Sequence, residues 1–232
     1  MARAGTPWPV IVTVLLCALV AAGALTAAAS LRDDGTASPT TTPLQTPSAQ
    51  PFSGCKKEPC TVLRTEPIGD TAVELLADAG AMSGRLRIGG PGARQVVEVS
   101  ITAVGAVLTQ DSLRCVVGSL SGCLIRGNYP GGTAGQLVVG RSGKWSSVER
   151  QFVSGAGYLG LVDVGAPVGP EVVAAQYVDC DPAIADCTGK QVYAQVYAIN
   201  GTRLGCTKHY ARLDSLPGFP EVDLKLDALR PC

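Results

Sequence analysis

The chain has 232 residues, with 19 Lys+Arg balancing 19 Asp+Glu and a sequence pI near 6.6. Such neutrality gives no electrostatic footprint for nucleic acid or for an acidic membrane surface, which excludes both as partner classes. With 28 Gly, 16 Pro and Val-rich runs between them, the composition favours many strands and turns over long helices.

Residues 1–9 read as a short cytoplasmic lead carrying Arg3, followed by an apolar and small-residue run from Val10 to Ser30. As a helix, 10–30 would extend ~31 Å, close to the ~30 Å hydrocarbon thickness of a bilayer. The run reads as a signal anchor with Arg3 inside and Trp8 near the interface. Ala27-Ala28-Ala29 before Ser30 also supplies a signal-peptide cleavage site. Either reading exports the bulk of the chain. It is then single-pass in the cell membrane with its C-terminal part outside, or secreted if the segment is cleaved. Leu16 before Cys17 is too bulky for a lipoprotein site. Residues 31–54 read as a disordered stalk, since 36–53 contain 12 Ser, Thr or Pro among 18 and cannot offset their ordering entropy by apolar burial.

Eight of the 9 cysteines follow the stalk. An even count downstream of an export signal predicts a disulfide framework. Spacing favours Cys55–Cys60, Cys115–Cys123, Cys180–Cys187 and, by remainder, Cys206–Cys232. A zinc site is the rival, but the chain has no C-x-x-C and a single histidine, His209.

The folded part is expected to be all-β: an antiparallel β-sandwich-like lobe over 55–153 and a β-meander lobe over 154–232. In the first lobe, Ala72 to Ala77 is taken as a strand with a hairpin partner around Leu86 and Ile88. Alternation of Val97, Val99, Ile101 and Ala103 predicts another strand, with Gly105 a bend. Two short strands flank a Gly/Ser turn between Cys115 and Cys123, and a turn over Ser142-Gly143 joins two more. The SLRC strand and the following GC before a Gly-rich loop give residues 70–153 a pattern that resembles bacterial immunoglobulin-like surface modules.

In the second lobe, strands are expected at Tyr158 to Val164, Val172 to Val178, Gln191 to Ile199 and Thr202 to Lys208. Asn200-Gly201 is read as a type I′ turn, which would pair Tyr197 with Leu204 and Gln195 with Cys206. This four-strand meander resembles a blade of the FG-GAP or VCBS propeller repeats. The resemblance implies a calcium loop, for which Asp163 and Glu171 are the candidates. Gly165 and Pro167 stand where the second and third ligands should fall. Asp179, Asp181 and Asp186, in the Cys180 to Cys187 loop, form a second oxygen-rich calcium candidate, set against a solvated acidic loop made rigid by its disulfide. Tyr193 and Tyr197 share a strand face and suggest a sugar-stacking platform, set against ordinary packing.

No G-x-S-x-G, H-E-x-x-H or G-x-x-x-x-G-K-[ST] occurs, and His209 is the only histidine available to a nucleophile. The expected function is non-catalytic, with no catalytic residues, no cofactor and no resident metal. The chain would be a disulfide-stapled extracytoplasmic module binding an envelope protein or polymer. A cell-wall or glycan-directed hydrolase and a purely structural stalked surface protein are the alternatives. The Ala/Gly/Val-rich wording with a Thr/Pro stalk resembles uncharacterised exported proteins of high-GC Gram-positive bacteria.

Overall fold

The computed structural model describes residues 59–232 apart from 91, 93 and 94. The expected hydrophobic helix, the stalk and Cys55 lie outside the described residues. Cys60 is disulfide-bonded.

Strand and turn chemistry recur with one plan. β1 (Thr61–Ile68), β2 (Thr71–Ala77), β3 (Gly84–Ile88) and β4 (Gln95–Glu98) form the first sheet. β5 (Leu113–Val116), β6 (Ser121–Tyr129), β7 (Gly132–Arg141) and β8 (Lys144–Ser154) form the second. β9 (Leu159–Val162), β10 (Glu171–Tyr177), β11 (Val192–Tyr197) and β12 (Arg203–Cys206) form the third. Each sheet is an antiparallel meander paired in chain order. The described chain is therefore all-β, with one four-stranded unit used three times. The stretch expected as one sandwich-like lobe consists of two such meanders, and the third is the expected C-terminal meander.

The period-2 alternation of strands stacks these sheets. From the first sheet, Val73, Leu75, Leu86 and Ile88 pack against Cys123, Ile125, Ala134 and Val138 of the second. Leu124, Leu137 and Phe152 point to the opposite face of that second sheet and meet Leu159, Val172, Ala174 and Tyr197 of the third. The central sheet is thus buried on both faces. Gly135 permits the close approach on this side, because a Cβ there would lie 2.4 Å from Leu159 Cδ2. The far face of the third sheet, with Val173, Ala175, Ala194 and Val196, is covered by Leu216, Val222 and Leu224 of the C-terminal segment. That segment is tied down where Leu226 N–H donates to the Val164 carbonyl and where Cys206 and Arg230 exchange backbone bonds.

Three disulfides join described cysteines as the spacing predicts: Cys115–Cys123, Cys180–Cys187 and Cys206–Cys232. Cys115 and Cys123 face each other directly across β5 and β6. On the outward face of the first sheet, Glu74 and Arg87 are opposite neighbours on β2 and β3, joined at 2.7 Å while both are buried.

Two local expectations are corrected. The strand expected through Ala103 stops at Glu98, and Ser100–Val104 is a 3-10 turn ended by Gly105 at φ 84°. The buried Gln136 side chain of β7 is the cause. Its oxygen accepts from the Ser100 amide at 2.7 Å and its amide donates to the Glu98 carbonyl at 3.0 Å, taking backbone groups that a longer strand would give to its ladder. The second correction is at Asn200-Gly201, where Gly201 has φ 85° but Asn200 is not left-handed. Gly201 N–H donates to Ala198 and Ala198 N–H to Thr202. This is the longer hairpin loop with a glycine bulge, not a type I′ turn. Gln195 still faces Cys206, but a register shift sets Tyr197 opposite Arg203 in place of Leu204. The two-residue turn with both residues at positive φ is Ser142-Gly143, between β7 and β8.

Candidate functional site

The first strands of the three meanders, β1, β5 and β9, approach one another, and an open cleft of about 750 Å³ lies where they meet. Its volume suits a small polar ligand or a few residues of a longer one. The remaining side is walled by Pro220 to Asp223 of the C-terminal segment. Its lining contains no serine, threonine, cysteine or histidine.

One wall is basic. Arg64 comes from β1, where a register shift between Val62 and Arg64 marks a β-bulge that re-aims the side chain. Its guanidinium is held by Glu66 at 2.7 Å. Arg114 comes from β5, is exposed, and has no side-chain partner among the described residues. Arg126 comes from β6 on the same face as Arg114, by the pairing of Arg114 with Leu124. It is half-buried, donates from one terminal nitrogen to the Leu159 carbonyl at 2.7 Å, and reaches the Asp111 carbonyl through Nε at 3.4 Å. Both acceptors are neutral backbone oxygens, and no carboxylate lies within ion-pair range of Arg126 among the described residues.

The lining from the third sheet and the C-terminal segment carries only acidic charge. It holds Asp163, just after β9, and Glu221 and Asp223 from the C-terminal segment, all exposed. Asp223 is paired with Lys225 at 3.0 Å, and this contact raises the Lys225 pKa above the ordinary lysine value. Asp163 accepts from the Gly165 amide at 2.9 Å. Tyr158 also lines the cleft. Burial pushes its phenol up, against the opposing pull of the Arg126 charge and a hydrogen bond with the Val222 backbone. Gly160 leaves room for this ring, since a Cβ there would lie 2.8 Å from the Tyr158 hydroxyl.

Of the residues singled out from sequence, only Asp163 lines this cleft. Glu171 is buried and accepts from the Val164 amide at 3.0 Å. Asp181 accepts from Ala183 N–H, and Asp186 from the amide and hydroxyl of Thr188, which hold its carboxyl below the usual range. Asp179 sits at φ 51°. Asp181 and Asp186 thus brace their own turns, and no group of three metal-ligating side chains gathers among the described residues.

Tyr197 packs edge-on to Phe152 at 5.4 Å, lies under Arg150 at 5.3 Å, and donates to Gln195. Burial raises its pKa, with Arg150 and Arg203 opposing. Tyr193, half-buried, lies 5.7 Å from the ring of His209. The two tyrosines share a face, but Tyr197 is covered by the second sheet.

The residues that sequence reasoning missed are Arg64, Arg114, Arg126, Tyr158, Glu221 and Asp223. For Arg126 the available signal was an arginine interrupting an apolar strand, CLIRG.

Fold and site together define an all-β, disulfide-stabilised module with a cleft lined by both arginines and carboxylates. Comparisons with protein-family models, with curated proteins and with solved structures find no match to this chain.

Proposed function

We propose that this chain is a non-catalytic, disulfide-stapled extracytoplasmic module that binds an envelope partner through the cleft between β1, β5 and β9. The observation that carries the reading is Arg126, half-buried and oriented by two carbonyls, with its charge left unpaired among the described residues. Such preorganised, uncompensated charge at a concave junction suits recognition. Export, by the N-terminal apolar run or after its cleavage, would place the module outside the cell, where disulfides persist.

The hydrolase alternative draws on the carboxylates in the same cleft. It is the weaker reading because Asp111, Asp163, Glu221 and Asp223 are all exposed, whereas the acid of a glycosidase pair relies on burial to keep its proton. The test is capture of envelope extract on the immobilised chain, with an Arg114→Glu variant alongside. A partner or polymer retained by the native chain and lost by the variant supports the proposal. Retention that ignores Arg114, or release of soluble sugar fragments from the extract, overturns it.

A further inference from the structure

The ligand class follows from how the charged groups of the cleft are held. Arg126 is the most constrained cation in the cleft: its two hydrogen bonds go to the Leu159 and Asp111 carbonyls, which fix its direction without neutralising it. Arg114, on the same face of the second sheet, is exposed and unbonded among the described residues, and so free to close on a ligand. Arg64 contributes less, because Glu66 already compensates it. Two guanidinium groups, one rigid and one mobile, make a receptor for an oxyanion, and Arg is suited to grip a carboxylate through two parallel bonds.

From the third sheet and the C-terminal segment, Asp163 and Glu221 bring negative charge with no cation at ion-pair distance among the described residues, while Lys225 pairs with Asp223 and feels Asp163 at longer range. A ligand bearing only negative charge, such as a phosphate, gains on the arginines and is repelled by the carboxylates. A ligand with an anion at one end and an ammonium at the other gains on both. The uncharged lining includes the Tyr158 ring with Gly160, Leu161 and Val162, a surface suited to an uncharged backbone or small side chains.

From this geometry we infer that the cleft receives a zwitterionic, peptide-like ligand, its free carboxylate on Arg126 and Arg114 and its ammonium toward Asp163 and Glu221. This inference rests on the reading of the cleft as the binding site and names the chemistry that the site selects.

The test is calorimetric titration of the full chain with trialanine, with its C-terminal amide, with its N-acetylated form, and with inorganic phosphate. Trialanine should bind, and either blocked form should bind at least tenfold more weakly. Phosphate should bind more weakly than trialanine. Arg126→Gln should lose trialanine binding. Because Arg126 also bonds to Leu159, the exposed Arg114→Gln and Glu221→Gln provide variants without that structural role. Arg114→Gln should weaken the free peptide severalfold but leave the amide unaffected, and Glu221→Gln should weaken the free peptide but leave the acetylated form unaffected. Equal binding of free and blocked peptides, tighter binding of phosphate, or no binding of trialanine at millimolar concentration overturns the inference. If any of these accompanies Arg114-dependent capture of an envelope partner, the cleft remains the binding site and only its ligand class is wrong. Loss of the Arg114 dependence itself overturns the site.

Discussion

At the scale of single residues, the instructive one is Glu171. It is 2% exposed, at the start of β10, and its carboxylate accepts the Val164 amide at 3.0 Å. Burial raises its pKa above the ordinary value of 4.5; the Val164 bond opposes this rise and nearby Asp163 adds to it. Folding therefore favours the protonated form. The contribution of Glu171 to stability is fully present below its unfolded pKa and is lost as pH rises through the raised folded value. Above that raised value the folded chain carries an ionised carboxylate in a desolvated place. Glu171→Gln keeps an oxygen for the Val164 amide and removes that charge. The expected result is a variant as stable as the native chain or more so at pH 7 to 8, and one lacking the native loss of stability above pH 4.5. Thermal melts across pH 4 to 8 check it, and parallel curves for the two proteins would refute it.

At the scale of elements, the Asn200-Gly201 hairpin shows what sequence can and cannot specify. The dipeptide located the turn correctly, because one residue must be left-handed and only Gly201 supplies that cheaply. It did not specify the turn type, which depends on how β12 meets β11, and the glycine bulge moved Arg203 opposite Tyr197. Replacing Gly201 with Val should destabilise the domain by about 1 kcal/mol or more, since a β-branched residue resists φ of 85°. Its Cβ would also sit 3.1 Å from Val148 Cγ1 of the second sheet. Urea denaturation measures the loss, and an unchanged midpoint would contradict this backbone account. β1 illustrates the opposite failure. Thr61–Ile68 carries Arg64, Glu66 and Pro67 and is mostly exposed or half-buried, so no alternation announces it. As an end strand of its sheet it tolerates Pro67, which has no ladder to interrupt on its outer side. Strands with one or both faces in the core, such as β6 and β10, were legible. The strand supplying Arg64 to the cleft was not, because its side chains serve a surface.

At the scale of the whole molecule, the cleft exists only because three meanders stack and bring their first strands together. That is why Arg64, Arg114 and Arg126 drew no attention as a set: their proximity is a property of sheet-on-sheet packing, which local patterns do not encode. The disulfides were readable because spacing and remainder left few sensible pairings. Cys206–Cys232 has a further consequence, since it closes a loop over a sequence separation of 26 that contains both the cover of the third sheet and the Pro220 to Asp223 wall of the cleft. Constraining such a loop in the unfolded chain contributes roughly 3 kcal/mol. A Cys206→Ser, Cys232→Ser double variant, which leaves neither partner of this bridge as a free thiol, should lose about that much stability. It should also increase amide exchange at Val222 and Leu226, whose segment then rests on Leu216, Val222 and Leu224, on the bond from Leu226 to Val164 and on the backbone bonds between residues 206 and 230. Exchange in β6 and β7 under native conditions should change little, because the central sheet is buried between its two neighbours and touches none of that segment's apolar contacts. Hydrogen-exchange mass spectrometry separates the two regions. Uniform loosening of all three sheets would show that the C-terminal segment holds the stack together, whereas loosening confined to residues 207–232 would make it a strap across the third sheet and a movable wall of the cleft.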